Sequence, residues 1–195
     1  MKRICVIVFL LCTICSTVFA AKAEDYLHKL PEKVGVVIVS SVDMKTPDYF
    51  DAITDTLTPT SDEEKKYTIE TGVNAQTKYQ NYWDGKGFLD EQPLTKDVVF
   101  DFAKYSGYDK VLYIVIEKPV LEKNQQGGGF LFSWGTTTVT RADIEVKAYL
   151  TDGKTIIKSV DVSKEDNSAV SELRAKRSAF KKDMIEVATN IKPYL

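Results

Sequence analysis

The side chains that most often carry chemistry are scarce in this chain of 195 residues. His28 is the single histidine, and the three cysteines, Cys5, Cys12 and Cys15, all lie close to the first residue. Zinc sites and catalytic centres of the Ser–His or Cys–His kind combine histidine or cysteine with partners from other segments. The sequence therefore argues against those classes of enzyme, and we predict a protein without catalytic residues, bound metal or other cofactor.

Three consecutive glycines at residues 127–129 are the next candidate, because glycine-rich turns cradle phosphate groups. Such a cradle leads from a buried strand directly into the first turn of a helix. Here the glycines are followed by FLFSWGTTTV, which is rich in residues that favour strands and poor in residues that favour helices. The sequence therefore predicts the tip of an extended β-hairpin around Gln125–Thr138 and no phosphate site.

The predicted hairpin carries four large apolar side chains, Phe130, Leu131, Phe132 and Trp134. Each arm is shorter than the roughly 9–11 residues of a membrane-spanning strand, so contact with a membrane is at most peripheral. An exposed apolar segment usually contacts another macromolecule. We predict that these four residues bind an envelope protein or a second copy of the chain, with packing against the chain's own domain as the alternative.

A second group of aromatic residues lies in KYQNYWDGKGF: Tyr79, Tyr82, Trp83 and Phe88. Their rings could stack on a sugar or a small ligand, and with neighbouring acids they could serve an acid-pair hydrolase. The spacing of three and four residues also fits the core face of a helix. A pocket that combines these aromatics with two carboxylates would favour the ligand site.

The first residues have the three parts of a secretory signal peptide: Lys2 and Arg3, then an apolar run, then small residues before a cleavage site after Ala20 or Ala23. The apolar run is shorter than the roughly 20 residues of a spanning helix, which argues against an uncleaved anchor. We predict a signal peptide at residues 1–20, a loose leader at 21–32 and a single domain at 33–195.

Lipid attachment is a further alternative for this leader. It requires a small residue before the acceptor cysteine, whereas Leu11 precedes Cys12 and Ile14 precedes Cys15. The predicted mature chain has no cysteine and therefore no disulfide, which is typical of the bacterial envelope rather than of eukaryotic secretion. We expect export to the periplasm or to the cell surface or exterior.

The charge balance points away from nucleic acid. The chain has 26 Lys and Arg against 28 Asp and Glu, and removal of Lys2 and Arg3 leaves 24 against 28. Binding of nucleic acid normally needs a basic surface. We therefore predict no nucleic-acid partner.

The pattern of apolar residues predicts the strands and helices that position these side chains. KVGVVIVSSV from Lys33 and KVLYIVIEK from Lys110 are apolar at consecutive positions, which predicts strands covered on both faces. Helices are predicted from Pro47, through NAQTKYQNYW, and from a cap at Thr95 to a stop at Gly107. A brief strand is predicted in KKYTIETG, although Ser61 and Glu64 have the spacing of a helix capping box.

The last third predicts an antiparallel meander and a long helix. In ADIEVKAYL apolar and polar residues alternate, so one face of this strand should be exposed to solvent. A three-residue loop at Asp152-Gly153 would place Ile156, Val160 and Val162 toward the core and misplace Lys158. The predicted closing helix spans residues 167–191, with an apolar stripe that comprises Val170, Leu173, Phe180, Met184, Val187 and Ile191. The order is β-α-β-α-β-β-β-α, an α/β (α+β) domain with a mixed sheet.

This order, with the step Gly107-Tyr108-Asp109 from a helix into a strand and the turn in LTDGK, resembles the CsgG-like and TolB N-terminal-like envelope domains. The resemblance spans about Lys33 to Ile191. It implies an assembly, scaffold or accessory role at the periplasm or surface, without catalysis. Some relatives build pores from hairpins that extend from this sheet, but here the hairpin arms are too short to span a membrane.

Overall fold

The two runs of consecutive apolar residues form neighbouring strands in the middle of a six-stranded mixed sheet. The computed structural model describes residues 30–40, 42–61, 63, 66–88, 93–126 and 137–195. The strands are β1 (Glu32–Val39), β2 (Tyr67–Glu70), β3 (Lys110–Ile116), β4 (Val120–Gln126), β5 (Thr137–Thr151) and β6 (Ile156–Ser168). The helices are α1 (Pro47–Leu57), α2 (Val73–Gly85), α3 (Lys96–Ser106) and α4 (Glu172–Ile191), with short 3-10 turns at Val42–Met44 and Lys192–Tyr194.

The sheet has a parallel half and an antiparallel half that meet at β3. β2, β1 and β3 run parallel, and β3 pairs antiparallel with β5. β6 occupies one edge of β5 from Thr140 to Thr151, so β3 and β4 must share the other edge, one after the other along the strand. The predicted α/β (α+β) class with a mixed sheet is confirmed.

β1 and β3 are buried on both faces, because helices cover both sides of this part of the sheet. On one face, α1 and α4 pack on alternate residues of β1, β3 and β5, such as Ile38, Ile114 and Val146. On the other face, α2 and α3 pack on the residues between them, such as Val37 and Tyr113. Strands in such a setting are expected to be apolar at every position, as these two are.

The step Gly107-Tyr108-Asp109 fixes how α3 leads into β3. Gly107 ends α3 in the left-handed conformation (φ 72°), which glycine adopts without a steric penalty. The Tyr108 ring packs against Gly35 of β1, and its hydroxyl donates to Glu70 of β2 at 2.8 Å. Asp109 accepts a hydrogen bond from the backbone N–H of Lys33 at 2.8 Å. The step therefore joins α3 to three strands.

A side-chain amide completes the pairing of β1 where β2 has ended. The pairing of β1 with β2 stops at Gly35, which leaves the backbone of Ile38 without a strand on that edge. The Gln76 side chain of α2 accepts from the Ile38 N–H and donates to its carbonyl oxygen, both at 3.1 Å. Gln76 therefore substitutes for one residue of a neighbouring strand and ties α2 to the sheet.

The turn between β5 and β6 differs from the predicted three-residue loop. Thr151 pairs with Ile156 across a four-residue connection, and a register shift follows, so that Leu150 pairs with Lys158. Gly153 has the predicted left-handed conformation (φ 79°). Because the register moved by two residues, Val160 and Val162 keep their predicted core face, while Ile156 is exposed.

The closing helix starts later than predicted. β6 continues to Ser168, because β5 is 15 residues long and still offers a partner at Thr140. α4 then starts at Glu172, where the Ser171 hydroxyl accepts from the backbone N–H of Arg174. Two residues of the predicted apolar stripe, Val170 and Leu173, are 74% and 46% exposed and lie outside the core.

The remaining predictions of secondary structure either agree with the structure or concern residues that the structure does not describe. The brief strand is β2, and Thr95 caps α3 by accepting from the Val98 N–H at 3.3 Å. The signal peptide, the loose leader up to residue 29, His28 and Glu64 lie outside the described residues. Residues Pro31–Leu195 make one compact unit. No helix of the described chain is long and apolar enough to cross a membrane.

We predict that Gly35→Ala destabilises the fold. An added Cβ would lie 2.1 Å from the Tyr108 ring, and overpacking of this kind typically costs about 1–3 kcal/mol. Gly85→Ala is the matched control, since nothing lies within 4 Å of its Cβ position. Urea unfolding measures both variants, and Gly35→Ala combined with Tyr108→Ala should show coupling in a double-mutant cycle. Equal stability of the two single variants would contradict the assigned packing.

Candidate functional site

The residues predicted to bind a partner, Phe130, Leu131, Phe132 and Trp134, lie outside the described residues. The structure describes the strands on either side of them. β4 and β5 pair antiparallel, from Val120 opposite Asp143 to Gln126 opposite Thr137. The apolar segment therefore connects the far ends of two paired strands, and its own role in binding stays a prediction.

β4 is an edge strand. It pairs with β5 on one side, and no other strand of the described chain pairs with its outer edge. Its side chains from Glu122 to Gln125 are exposed, and Val120 is 61% exposed. An edge of this kind presents backbone N–H and C=O groups to which another chain can add a strand.

Salt bridges at both faces hold β4 to its neighbours. On the face away from α4, Arg141 of β5 lies between Glu122 of β4, at 3.9 Å, and Glu165 of β6. On the other face, Lys123 lies 3.7 Å from Glu172 at the start of α4. Charged residues on an edge strand oppose unselective pairing, so any added strand must be compatible with them.

The face of β5 turned away from α4 is polar, as its alternating sequence predicted. Lys147 contacts Glu117 at 2.5 Å and Glu145 at 2.8 Å. These two carboxylates raise the pKa of the Lys147 ammonium well above its usual value. α2 and α3 cover β1 and β3 on this side, and Tyr149 of β5 packs at the edge of this cluster, beside Val99 of α3.

A cleft of about 470 Å³ lies between α2 and α3. Three of the four aromatics singled out in the sequence line it, namely Tyr82, Trp83 and Phe88. Two carboxylates, Asp97 and Asp101, line it as well. This combination of aromatic rings with two carboxylates favours a ligand site.

Most of the ring surface of these aromatics is engaged within the protein. Tyr79 is fully buried, and Trp83 and Tyr82 are 1% and 5% exposed. Their rings pack edge to face against one another and against Phe102, at centroid distances of 4.9 to 5.9 Å. Phe88 is 41% exposed, so it is the member of the group with ring surface free to contact a ligand.

Asp101 is the best-defined polar group in the cleft. Its carboxylate accepts from the Lys86 ammonium at 2.6 Å and from the Tyr82 hydroxyl at 3.2 Å. Both contacts, that of Lys86 first, lower the pKa of Asp101. Burial and the nearby Asp101 raise the pKa of Tyr82 to about 12. At neutral pH the cleft therefore contains an ionised Asp101 carboxylate that is bound to the Lys86 ammonium and the Tyr82 hydroxyl.

Asp183 of α4 is a fully buried acid that the sequence patterns did not single out. A signal existed, because Asp183 stands four residues from both Ala179 and Val187 on the apolar stripe of the helix. No group of three or more acidic, histidine or cysteine side chains in the described ranges could hold a metal ion.

We predict that Trp83 reports a core environment. The chain has two tryptophans, Trp83 and Trp134, so Trp134→Phe isolates the first by fluorescence. Because Trp83 is 1% exposed, its emission should be blue-shifted and acrylamide should quench it poorly. Trp83→Phe is the reciprocal control and reports on Trp134. Emission from Trp83 like that of free tryptophan would contradict the described packing.

Comparison with known proteins yields structural likeness without a family assignment. No protein-family model matches the chain, and no curated protein matches it significantly. Lipoprotein GNA1162 from Neisseria meningitidis is 17% identical over 85% of this chain and 100% of that chain, with a TM-score of 0.40. A minor lipoprotein from Acinetobacter baumannii is 9% identical over 84% and 94%, with a TM-score of 0.34.

A third similar structure is the hypothetical protein CT253 from Chlamydia trachomatis, 11% identical over 83% of this chain and 98% of that chain, with a TM-score of 0.42. Bacterial lipoproteins are therefore among the structural neighbours, and none of these three is a CsgG or TolB protein. All three TM-scores lie below 0.5, so the likeness carries no inference about function.

Proposed function

We propose that this chain is an exported, non-catalytic protein of the bacterial cell envelope that binds a macromolecular partner through β4 and the segment after it. The observation that carries the proposal is the seven-residue edge strand β4, whose outer edge pairs with no other described strand. Export rests on the leader sequence. An assembly, scaffold or accessory role rests on the resemblance to CsgG-like and TolB N-terminal-like domains.

The backbone of β4 supports binding by strand addition. A strand of seven residues is as long as most strands in globular proteins, so it can bind an extended segment along its whole length. In this mode the main-chain hydrogen bonds supply much of the affinity, and alternate side chains supply specificity. The exposed side chains of Glu122 and Lys123 would select among partner strands by charge.

The apolar segment supports the same surface. Phe130, Leu131, Phe132 and Trp134 follow β4 within a few residues of sequence. Large aromatic side chains are enriched among the residues that dominate protein interfaces. A partner bound along β4 would lie close to the start of this segment, so the two features would act as one surface.

The test compares the parent with the double variant Phe132→Ser and Trp134→Ser, both expressed at natural levels in the envelope. We expect the parent protein to migrate in mild-detergent extracts as a complex larger than a monomer, and the variant to migrate as a monomer, because serine removes most of the apolar contact area. Native electrophoresis and sedimentation of the purified chain distinguish a foreign partner from self-association.

Val73→Ser with Ile185→Ser is the matched control. These two apolar side chains are 76% and 53% exposed and lie on α2 and α4. The control variant should retain the parent's complex. A parent that is monomeric in the extract, or a complex that survives loss of Phe132 and Trp134, would exclude this function.

A second candidate function is the binding of a small polar ligand, such as a sugar, in the cleft between α2 and α3. The observation that favours it is the meeting of Phe88 with two carboxylates, Asp97 and Asp101, in one cleft. Aromatic rings stack on the apolar faces of sugars, and carboxylates accept hydrogen bonds from their hydroxyl groups. The partial exposure of Phe88 leaves ring surface for such stacking.

Saturation-transfer NMR with glucose and N-acetylglucosamine tests this candidate. If the cleft binds a sugar, Phe88→Ala should abolish the transfer signal. Tyr194→Ala should retain it, since Tyr194 is an aromatic of similar exposure, 43% against 41%, that does not line the cleft. A parent protein that gives no signal with either sugar at millimolar concentration counts against the candidate.

A further inference from the structure

Asp183 is the most unusual polar group in the described chain. It lies on the face of α4 that packs against the sheet, and its side chain is fully buried. Neither carboxyl oxygen makes a hydrogen bond of normal geometry with the described residues, although the backbone N–H of Lys164 approaches it. Its neighbours on the helix, Met184 and Val187, belong to the apolar core. A charged carboxylate in such a place would be strongly unfavourable.

The charged groups around Asp183 come from three elements. Lys164 on β6 lowers the pKa of Asp183, whereas Asp143 on β5 and Glu186 on α4 itself raise it. Lys164 is bound to Glu186, with 2.5 Å between the ammonium and the carboxylate. On α1, the other element that packs against α4, Asp48 pairs with Arg177.

Burial is the largest of these influences, and the pKa of Asp183 is raised to about 8. At pH 7 the folded protein therefore holds the carboxyl mainly as the neutral acid. In the unfolded chain the same group loses its proton near pH 4. The folded state thus binds one proton more than the unfolded state between about pH 4 and pH 8, and stability must fall as the pH rises through this range.

Lys164 interacts with two carboxyl groups of α4: it pairs with Glu186, and its charge acts on Asp183. Asp183 and Glu186 are three residues apart, so their side chains are neighbours on the helix surface. Glu186 holds Lys164 at the rim, where both side chains are 42% exposed. Loss of the proton from Asp183 would create a second, buried anion whose charge acts on the same ammonium group.

We propose that Asp183, Lys164 and Glu186 form a pH-responsive latch where α4 packs on β6: Lys164 pairs with Glu186 while Asp183 is protonated, and is drawn to Asp183 when the proton passes to solvent. Below the transition α4 is held by apolar packing with a neutral acid in the core. Above it, an ion pair must form in the core, and the contact between α4 and the sheet loosens. The latch is independent of the partner surface on β4.

The experiment follows urea unfolding of the mature chain from pH 5 to pH 9. The parent's midpoint should fall by roughly 2 M across this range, and Asp183→Asn, which cannot titrate, should remove the fall. Asp161→Asn is the matched control, because Asp161 is an exposed acid on β6, and it should keep the parent's pH dependence. An unchanged pH dependence in Asp183→Asn would overturn the proposal.

Two further variants test whether Lys164 responds to the charge of Asp183 or only forms a fixed ion pair with Glu186. Lys164→Met removes the attracting cation, so Asp183 should titrate at higher pH. Glu186→Gln releases Lys164 toward Asp183, so Asp183 should titrate at lower pH. Carbon-detected NMR of the Asp183 carboxyl measures both shifts in the intact folded chain and does not depend on the stability of any variant. Shifts in the same direction, or titration of Asp183 near pH 4 in the parent, would overturn the proposal.

Discussion

The burial of β1 and β3 on both faces is the constraint on which the rest of this structure depends. Each strand contributes alternate residues to two apolar clusters, one under α1 and α4 and the other under α2 and α3. β3 also joins the parallel half of the sheet to the antiparallel half. A polar residue at almost any position of these strands would be buried without a partner. Tyr108, packed on Gly35 and bonded to Glu70, fixes the start of β3 within this arrangement.

α2 and α3 cover the sheet as far as β3. Beyond β3 the sheet has a helix on one face, and its other face is polar. β5 and β6 are covered on one face by α4, and their other face carries salt bridges such as Glu122–Arg141 and Glu117–Lys147. β4 extends from this half as an edge strand. The half of the sheet around β1 and β3 is therefore covered by helices on both faces, whereas the half that ends in the edge strand β4 is covered on one.

α4 contacts both the core and the edge-strand half, since it covers β5 and β6 and begins beside β4. An apolar residue in place of Asp183 would give this helix a uniform stripe, so the buried acid lowers stability at neutral pH relative to that alternative. Proteins often place such locally unfavourable groups where a response is needed. Asp183 stands where α4 packs on β6, so a change in its protonation would act on that contact.

The sequence by itself determined the mixed-sheet fold class, the two doubly buried strands, the solvent-exposed face of β5 and the capping of α3, because these depend on local periodicity and on single residues such as Thr95 and Gly107. It also favoured Tyr79, Tyr82 and Trp83 as the core face of a helix, with a ligand site as the alternative. Tertiary structure decided what depends on contacts between distant segments: the length of β6, the late start of α4, the cleft that joins Phe88 to Asp97 and Asp101, and the isolation of Asp183. These features could not be read from the chain, because burial and pairing are properties of neighbours that lie far apart in sequence.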